Sequence, residues 1–396
     1  LLEGLPLSGY AWDEPGYGFA FYPDEGRAIS DRILDAFKKA FGYDLAPRFI
    51  DLWYDRPGAK PASEIVRLHY AEALERGLDK LEKSFKREAK KRIGDGVTIG
   101  IHRTMHEETS DDLFFGSSDY FRHNANTSDG FTDSIFHRED SMVCMLQLAR
   151  SMAVVSDGKR AFNNSWGFFP TSEQLDYYCG LMAMLNVRWI GHLYHGSNKF
   201  GPGYPDHPTW DDMKPRMDRL SKAVGALEGA RPDADTAVVY NWRALNQFAG
   251  NYLHAHRSAL MLLAKELTLS NTQFQFVSPE LLGASTVKKD GAFSGKAGTF
   301  RRLIVPWPDL LTPKAWETLE ALKAAGTEVV IYGPPAVLDS EGGDVAARFA
   351  ALCGIKKPDP NAYEKAVVGA KLRMGNSFFT ADPESVEPKY FNAPER

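Results

Sequence analysis

A chain of 396 residues, 43% hydrophobic and 25% charged, is long enough for two or more packed domains. Its net charge of −5 argues against a nucleic-acid partner, and the densest basic run, Lys83 to Arg92, carries Glu88 and reads as a solvated helix face. Cys144, Cys179 and Cys353 form neither a disulfide framework nor a metal-binding spacing, and no apolar run approaches the ~20 residues of a membrane-spanning helix.

In chain order, the first strand-like stretch, Gly9 to Asp13, closes on the adjacent carboxylates Asp13 and Glu14 before the breakers Pro15 and Gly16. Neighbouring strand residues face opposite sides, so one of these acids faces a cleft and the other the scaffold. Trp12 and Tyr17 flank the pair with aromatic faces. The pattern predicts a helix over Ala28 to Phe41, stopped at Gly42. A long helix is predicted from Ala62 to Lys91, with Ile65, Leu68, Ala71, Leu74, Leu78, Leu81 and Phe85 on its apolar face. A strand at Val97 to His102 runs into the polar loop His106-Glu107-Glu108-Thr109-Ser110-Asp111-Asp112. A strand end at Gly130 to Ser134, a helix over Arg138 to Val154, a strand at Arg160 to Gly167, a helix over Glu173 to Leu185 and a strand at Val187 to His192 follow. Pro202 to Pro215 reads as a loop before a helix reaching Leu227.

This strand–helix alternation is that of a parallel sheet, barrel or open. Polar residues close each strand: Asp13/Glu14, His102, Asp133, Asn163/Asn164 and His192/His195. In a TIM barrel such positions meet at one face, and a purely structural protein has little reason to place them there. Composition changes after the linker Gly229 to Asp235. Strands at Thr236 to Tyr240, Phe274 to Ser278, Arg302 to Pro306 and Glu328 to Gly333, with helices over Ala255 to Leu267 and Thr312 to Ala325, predict a small doubly wound α/β domain. Its strand ends carry no comparable acids, so its expected role is structure or assembly, including homo-oligomer formation. From residue 358 a Pro/Asn-rich segment reads as a linker or the start of a further domain. The opening Leu-Leu-Glu reads as the start of a piece of a longer protein, so periplasmic, extracellular and cytoplasmic locations are not distinguished.

Several motifs are excluded by spacing. His106-Glu107-Glu108 lacks the second histidine of HExxH, and His192 and His195 lack a third ligand nearby. Gly291 to Lys296 is one residue short of a P-loop and reads as a hairpin. No GxSxG elbow occurs, and no cysteine has a catalytic context. What remains is a carboxylate-rich cleft with aromatic walls, the composition glycoside hydrolysis needs. Glu14 is the expected acid, because burial against aromatics lets a glutamic acid keep its proton near neutrality. Glu107, Glu108, Asp119, Asp129 and Asp133 are the candidates for the second carboxylate, Glu108 and Asp133 being preferred. No cofactor is expected; calcium suits the acidic loops, though no spacing requires it.

Trp12-Asp13-Glu14-Pro15-Gly16, Phe41-Gly42-Tyr43-Asp44-Leu45, the loop from His106 through Gly116 to Asp119, and Gly130-Phe131-Thr132-Asp133 resemble large bacterial glycoside hydrolases with a clan-A-like barrel, nearest to the α-L-rhamnosidase type, family 106. Leu303-Ile304-Val305-Pro306-Trp307 and Ala325 to Val330 resemble the class-I-amidotransferase-like domain that follows such barrels, and the trimerisation domain of family 42 β-galactosidases. The resemblance implies an α/β chain in which residues 1–230 form the C-terminal part of a (β/α)8 TIM barrel, strands four to eight, followed by a flavodoxin-like α/β domain over 231–357. It implies that Glu14 follows strand four as acid/base. The expected sugar contacts are Trp12, Asp13, Tyr17, His102, Glu107, Asn163, Asn164, Trp166, His192 and His195. Relatives place a glutamate after strand seven where this chain has Asn163-Asn164-Ser165-Trp166-Gly167. An amide cannot serve as a carboxylate nucleophile. Either the base lies on another loop, or the barrel binds carbohydrate and has lost activity. A working amidotransferase would require a cysteine at a strand–helix turn, and Cys353 is expected near a helix end instead.

Overall fold

The computed structural model describes residues 9–13, 29–102, 119–128, 130–135, 139–156, 160–166, 172–191, 210–246, 253–333 and 335–355. The first half runs β1 (Gly9–Asp13), α1 (Asp31–Phe41), a 3-10 turn (Ala46–Leu52), α2 (Ser63–Ile93), β2 (Thr98–His102), α3 (Tyr120–Asn124), β3 (Gly130–Ile135), α4 (Glu139–Val155), β4 (Ala161–Trp166), α5 (Ser172–Leu185), β5 (Val187–Gly191) and α6 (Trp210–Ala226). β1 pairs with β2, and β3 with β4 and β4 with β5, every pair parallel. Ser128, just before β3, ties the two groups together: its N–H donates to the Ile99 carbonyl at 2.7 Å, and its Oγ accepts the Ile99 N–H at 2.8 Å. The strands therefore neighbour one another in chain order.

The second half contains β6 (Thr236–Val239), α7 (Leu253–Leu269), β7 (Phe274–Val277), α8 (Pro279–Gly283), the short strands β8 (Thr286–Val287), β9 (Phe293–Gly295) and β10 (Gly298–Phe300), then β11 (Arg302–Pro306), α9 (Pro313–Ala324), β12 (Glu328–Tyr332) and α10 (Ala346–Cys353). Its main sheet is parallel with the order β12-β11-β6-β7. The chain moves outward from β6 to β7, then returns past β6 to lay down β11 and β12, the reversal that defines doubly wound sheets. The hairpin expected at Gly291 to Lys296 is the antiparallel pair β9–β10, which β8 extends.

Side-chain alternation divides this sheet between two cores. Val238, Tyr240, Phe274, Phe276 and Ile304 pack with α4 and α7 on one face. Ala237, Val239, Val277, Leu303 and Val305 pack with Trp316 and Leu319 of α9 and Phe349 of α10 on the other. β6, β7 and β11 are buried on both sides, which is why they read as continuous apolar runs, whereas the edge strand β12 is partly exposed.

α4 joins the two halves. Val143, Leu146, Ala149 and Ala153 pack with Ala161 of β4 and Tyr178 and Met182 of α5. Cys144, Met145, Leu148 and Met152 pack with Phe274 and Phe276 of β7 and with α7. A helix apolar on all sides belongs in an interior, and α4 lies between the two sheets. Its polar groups are also used: Ser151 Oγ accepts the Phe276 N–H at 2.9 Å, which satisfies part of the β7 edge.

Local signals account for the helix ends. Ser30 caps α1, its Oγ accepting from the Ile33 N–H at 3.3 Å, and Gly42 ends it with φ 78°, a left-handed conformation glycine adopts without steric cost. α6 begins at Trp210 and carries Pro215 inside it, where a loop was expected. Met217, Leu220 and Val224, spaced three and four apart, pack against the α4–α5 core, and that burial outweighs one missing backbone hydrogen bond. On α2, Leu81 was expected on the buried face but is 51% exposed, whereas Glu82 is buried. No helix among the described residues is long and apolar enough to cross a membrane.

The entry to α2 is fixed by a buried carboxylate. Asp51 accepts from Arg56 Nε and Nη2 at 2.7 and 2.6 Å, from Ser63 Oγ at 2.7 Å and from Arg48 Nε. Burial pushes this carboxyl up, but the hydrogen bonds from Arg56, Arg48 and Ser63 prevail and hold it well below the usual range. Replacing Asp51 by Ala removes the acceptor shared by Arg48, Arg56 and Ser63 and is expected to cost about 1–3 kcal/mol in urea unfolding at pH 7. Because the folded value is depressed, the contribution is present above about pH 4 and lost as pH falls further. The difference between wild type and Asp51→Ala therefore shrinks in acid.

Candidate active site

Parallel strands present all their C-terminal ends along one edge, so the order β1 to β5 gathers the strand-end residues there. Asp13 ends β1 opposite His102, which ends β2. Asp133 of β3 lies opposite Asn164 of β4, which in turn lies opposite Ile190 of β5. Trp166 closes β4 opposite Ile135. Asp13, His102, Asp133, Asn164 and Trp166 thus share one edge of the strands. Glu14, Tyr17, Glu107, Glu108, His192 and His195 lie outside the described residues, as does Asp129.

The remaining expected residues engage the helix layer. Trp12 is half-buried against Phe85 of α2, with ring centroids 5.2 Å apart. Asn163 is fully buried, and its Oδ1 accepts from the Tyr178 hydroxyl of α5 at 2.7 Å. Asn163 and Asn164 are adjacent on a strand, and the bond from α5 occupies the first of them. Asp119, weighed as a second carboxylate, caps α3, accepting from the Arg122 N–H at 3.2 Å and pairing with that residue's guanidinium at 3.2 Å.

Asp119 belongs to a buried polar cluster that was not anticipated. Glu72, Glu75, Asp79 and Glu82 recur at spacings of three, four and three along α2 and meet α3. Arg122 donates to Glu72 at 3.0 Å, and Asn126 donates to Asp79 and Glu82 at 2.9 and 2.8 Å. His123 is fully buried between Glu75, 2.5 Å from its Nε2, and Glu82, 2.9 Å from its Nδ1. A neutral imidazole has one N–H, so satisfying both contacts requires an imidazolium or a proton on one glutamate. The acidic stripe on α2 was the available signal, but its purpose depends on α3, a five-residue helix.

At the other sheet, the usual ligand crevice of a doubly wound fold lies between the tips of β6 and β11. Here Asn241 Nδ2 donates to the Trp307 and Asp309 carbonyls at 3.0 and 2.8 Å, closing β6 onto the β11 loop. Gly333, with φ 110°, lies against Trp307, where a Cβ would meet the indole at 3.2 Å. Asp309 accepts from the Val337 and Leu338 N–H groups at 2.7 and 3.0 Å. These contacts span the crevice among the described residues. Cys353 sits at the C-terminal end of α10, away from any strand–helix turn, and desolvation pushes its thiol up, which disfavours the nucleophilic thiolate. Among the described residues no group of three or more His, Cys, Asp or Glu side chains could hold a metal ion.

Among solved structures, the chain is similar to a rhamnosidase from Novosphingobium sp. PP1Y, with 12% identity and a TM-score of 0.48. The match covers 88% of this chain and 32% of that one, so the chain spans about a third of the length of that enzyme. No family model matches the sequence. No curated protein matches it either.

Two buried acids set an expected pH dependence. Burial, with Glu280 and Glu75 nearby, pushes Asp119 up to about 7, and burial does the same to Asp309. The folded values exceed the unfolded ones, so this stability is fully present below about pH 4 and is lost as pH rises through 7. Denaturant unfolding is expected to show lower stability at pH 8 than at pH 5. Asp309→Asn, whose amide oxygen can accept both backbone bonds, is expected to reduce that difference.

Proposed function

We propose that this chain is part of a glycoside hydrolase: residues 1–230 contribute strands four to eight of a (β/α)8 barrel, and residues 231–357 form the flavodoxin-like, amidotransferase-like α/β domain that follows. The observation that carries the reading is the shared edge of β1 to β5, where Asp13 meets His102 and Asp133 meets Asn164 in register. The singly wound strand order supports a barrel over an open sheet, since an open doubly wound sheet reverses its order, as the second half does. The hydrogen bonds that span the crevice of that second sheet favour the first half as the place of reaction.

In this reading Glu14 protonates the leaving oxygen of an O-glycosidic bond, and Glu108 or Asp133 acts as nucleophile or as base toward water. Asp13, His102 and Asn164 bind sugar hydroxyls, with Tyr17, Glu107, Trp166, His192 and His195 completing the cleft. The sequence resemblance to α-L-rhamnosidases selects α-L-rhamnosides as the first substrates. The neighbouring pair Asp133–Asn164 favours one alternative, a barrel that binds carbohydrate without cleaving it, because an amide stands beside the acid.

The test uses the natural full-length protein on a panel of aryl glycosides that includes α-L-rhamnosides. Glu14→Gln is expected to lower turnover by about 10²–10⁴-fold, the usual contribution of a general acid. Asp133→Asn and Glu108→Gln then identify the second carboxylate by which one causes a comparable loss. Absence of turnover with retained, calorimetrically measurable sugar binding would replace hydrolysis by the binding reading.

A further inference from the structure

A cavity of about 190 Å³ lies at the opposite end of the same strands, where β4 and β5 begin. Arg150 of α4, Arg160 before β4, Arg188 of β5 and Arg231 of the linker line it. Glu228 is the one carboxylate among its described lining residues, and it is paired with Arg188 at 3.2 Å. Arg150 is only 8% exposed, yet its contact is a 3.4 Å hydrogen bond to the neutral Gln273, and it has no carboxylate partner among the described residues. Arg231 likewise has none there, and it is exposed at the cavity's rim. A buried guanidinium is costly unless an anion compensates it.

The wall is held in place rather than loosely draped. Asn186, the single residue between α5 and β5, adopts φ 55°, and its Nδ2 donates to the Leu227 carbonyl at 2.9 Å. That bond fixes the linker carrying Glu228 and Arg231 against the strands. Arg160 is steadied by its contact with the Phe162 ring, 5.1 Å from the guanidinium carbon to the centroid.

We propose that this cavity is a binding site for a tetrahedral oxyanion, a phosphate or sulfate group, gripped by Arg150 from within and Arg231 from the rim. The guanidinium fork matches such oxygens, and a small, strongly charged group satisfies several donors at once. Burial lowers Arg150 only to about 10, so it stays charged at neutral pH. Arg150 also contacts Gln273, just before β7, so an occupant ties the linker, α4 and the second sheet together. The assignment is independent of the chemistry at the strand tips.

Titration calorimetry of the full chain with inorganic phosphate, inorganic sulfate and glycerol 3-phosphate, at constant ionic strength with chloride as control, tests it. The expected result is saturable one-to-one binding of inorganic phosphate, weakened about tenfold or more in Arg150→Gln, the loss of one charge-assisted contact. Arg231→Gln, at an exposed site that tolerates change, is expected to weaken binding several-fold. Glu228→Gln is expected to tighten it by freeing Arg188. Tighter binding of glycerol 3-phosphate than of phosphate identifies a phosphomonoester as the occupant, and equal or weaker binding identifies the free anion. Heats no different from chloride, or unchanged affinity in a folded Arg231→Gln and Glu228→Gln, would overturn the proposal.

Discussion

The structure depends on the burial of α4 from two sides at once. A helix carrying Val143, Leu146 and Ala149 on one face and Met145, Leu148 and Met152 on another cannot face water along either. It therefore needs a sheet on each side, and the β3–β5 sheet and the β6–β7 sheet supply them. Ser151 adds direction, since its hydroxyl accepts one backbone N–H of β7 while donating to the Gln147 carbonyl of its own helix. Because α4 also follows β3, whatever fixes the helix fixes the strand whose end carries Asp133.

Buried charge does a different job. The Asp51 group and the cluster of Glu75, Glu82 and His123 bind α2 to its neighbours through contacts that work only in one geometry. Such pairs add little net stability over apolar packing, but leaving one member alone is severely unfavourable. They act as orientation devices. Asn241 at the second sheet follows the same logic: its Nδ2 ties the tip of β6 to the Trp307 and Asp309 carbonyls of the β11 loop. At the tips of β1 to β5 the register brings together a different set, two acids, an amide and a histidine from four strands. The opposite ends of β4 and β5 meet a cavity lined by arginines instead.

Much of this was legible in the sequence, and the exceptions have physical causes. The strand–helix alternation, the long α2, the cap of α1 at Gly42 and the hairpin of β9 and β10 were read correctly, because each rests on local periodicity or on a backbone conformation that few residues tolerate. Polar residues at strand ends could be listed from sequence, since a parallel sheet must align its ends. Local pattern failed where a distant partner decides. Pro215 argues for a loop until Met217, Leu220 and Val224 find the α4–α5 core, and Leu81 argues for burial until His123 claims the next position, Glu82, for itself.

The sequence by itself determined the element types, the polar residues that close the strands and the residues available for chemistry, because these follow from side-chain period and steric preference within a few residues. Only the tertiary structure decided that α4 serves two sheets, that Asp133 stands beside Asn164 while Asn163 is held by α5, and that four arginines far apart in the chain line one cavity. Those are relations of register and packing between distant segments, and they are settled by which buried groups can find a partner.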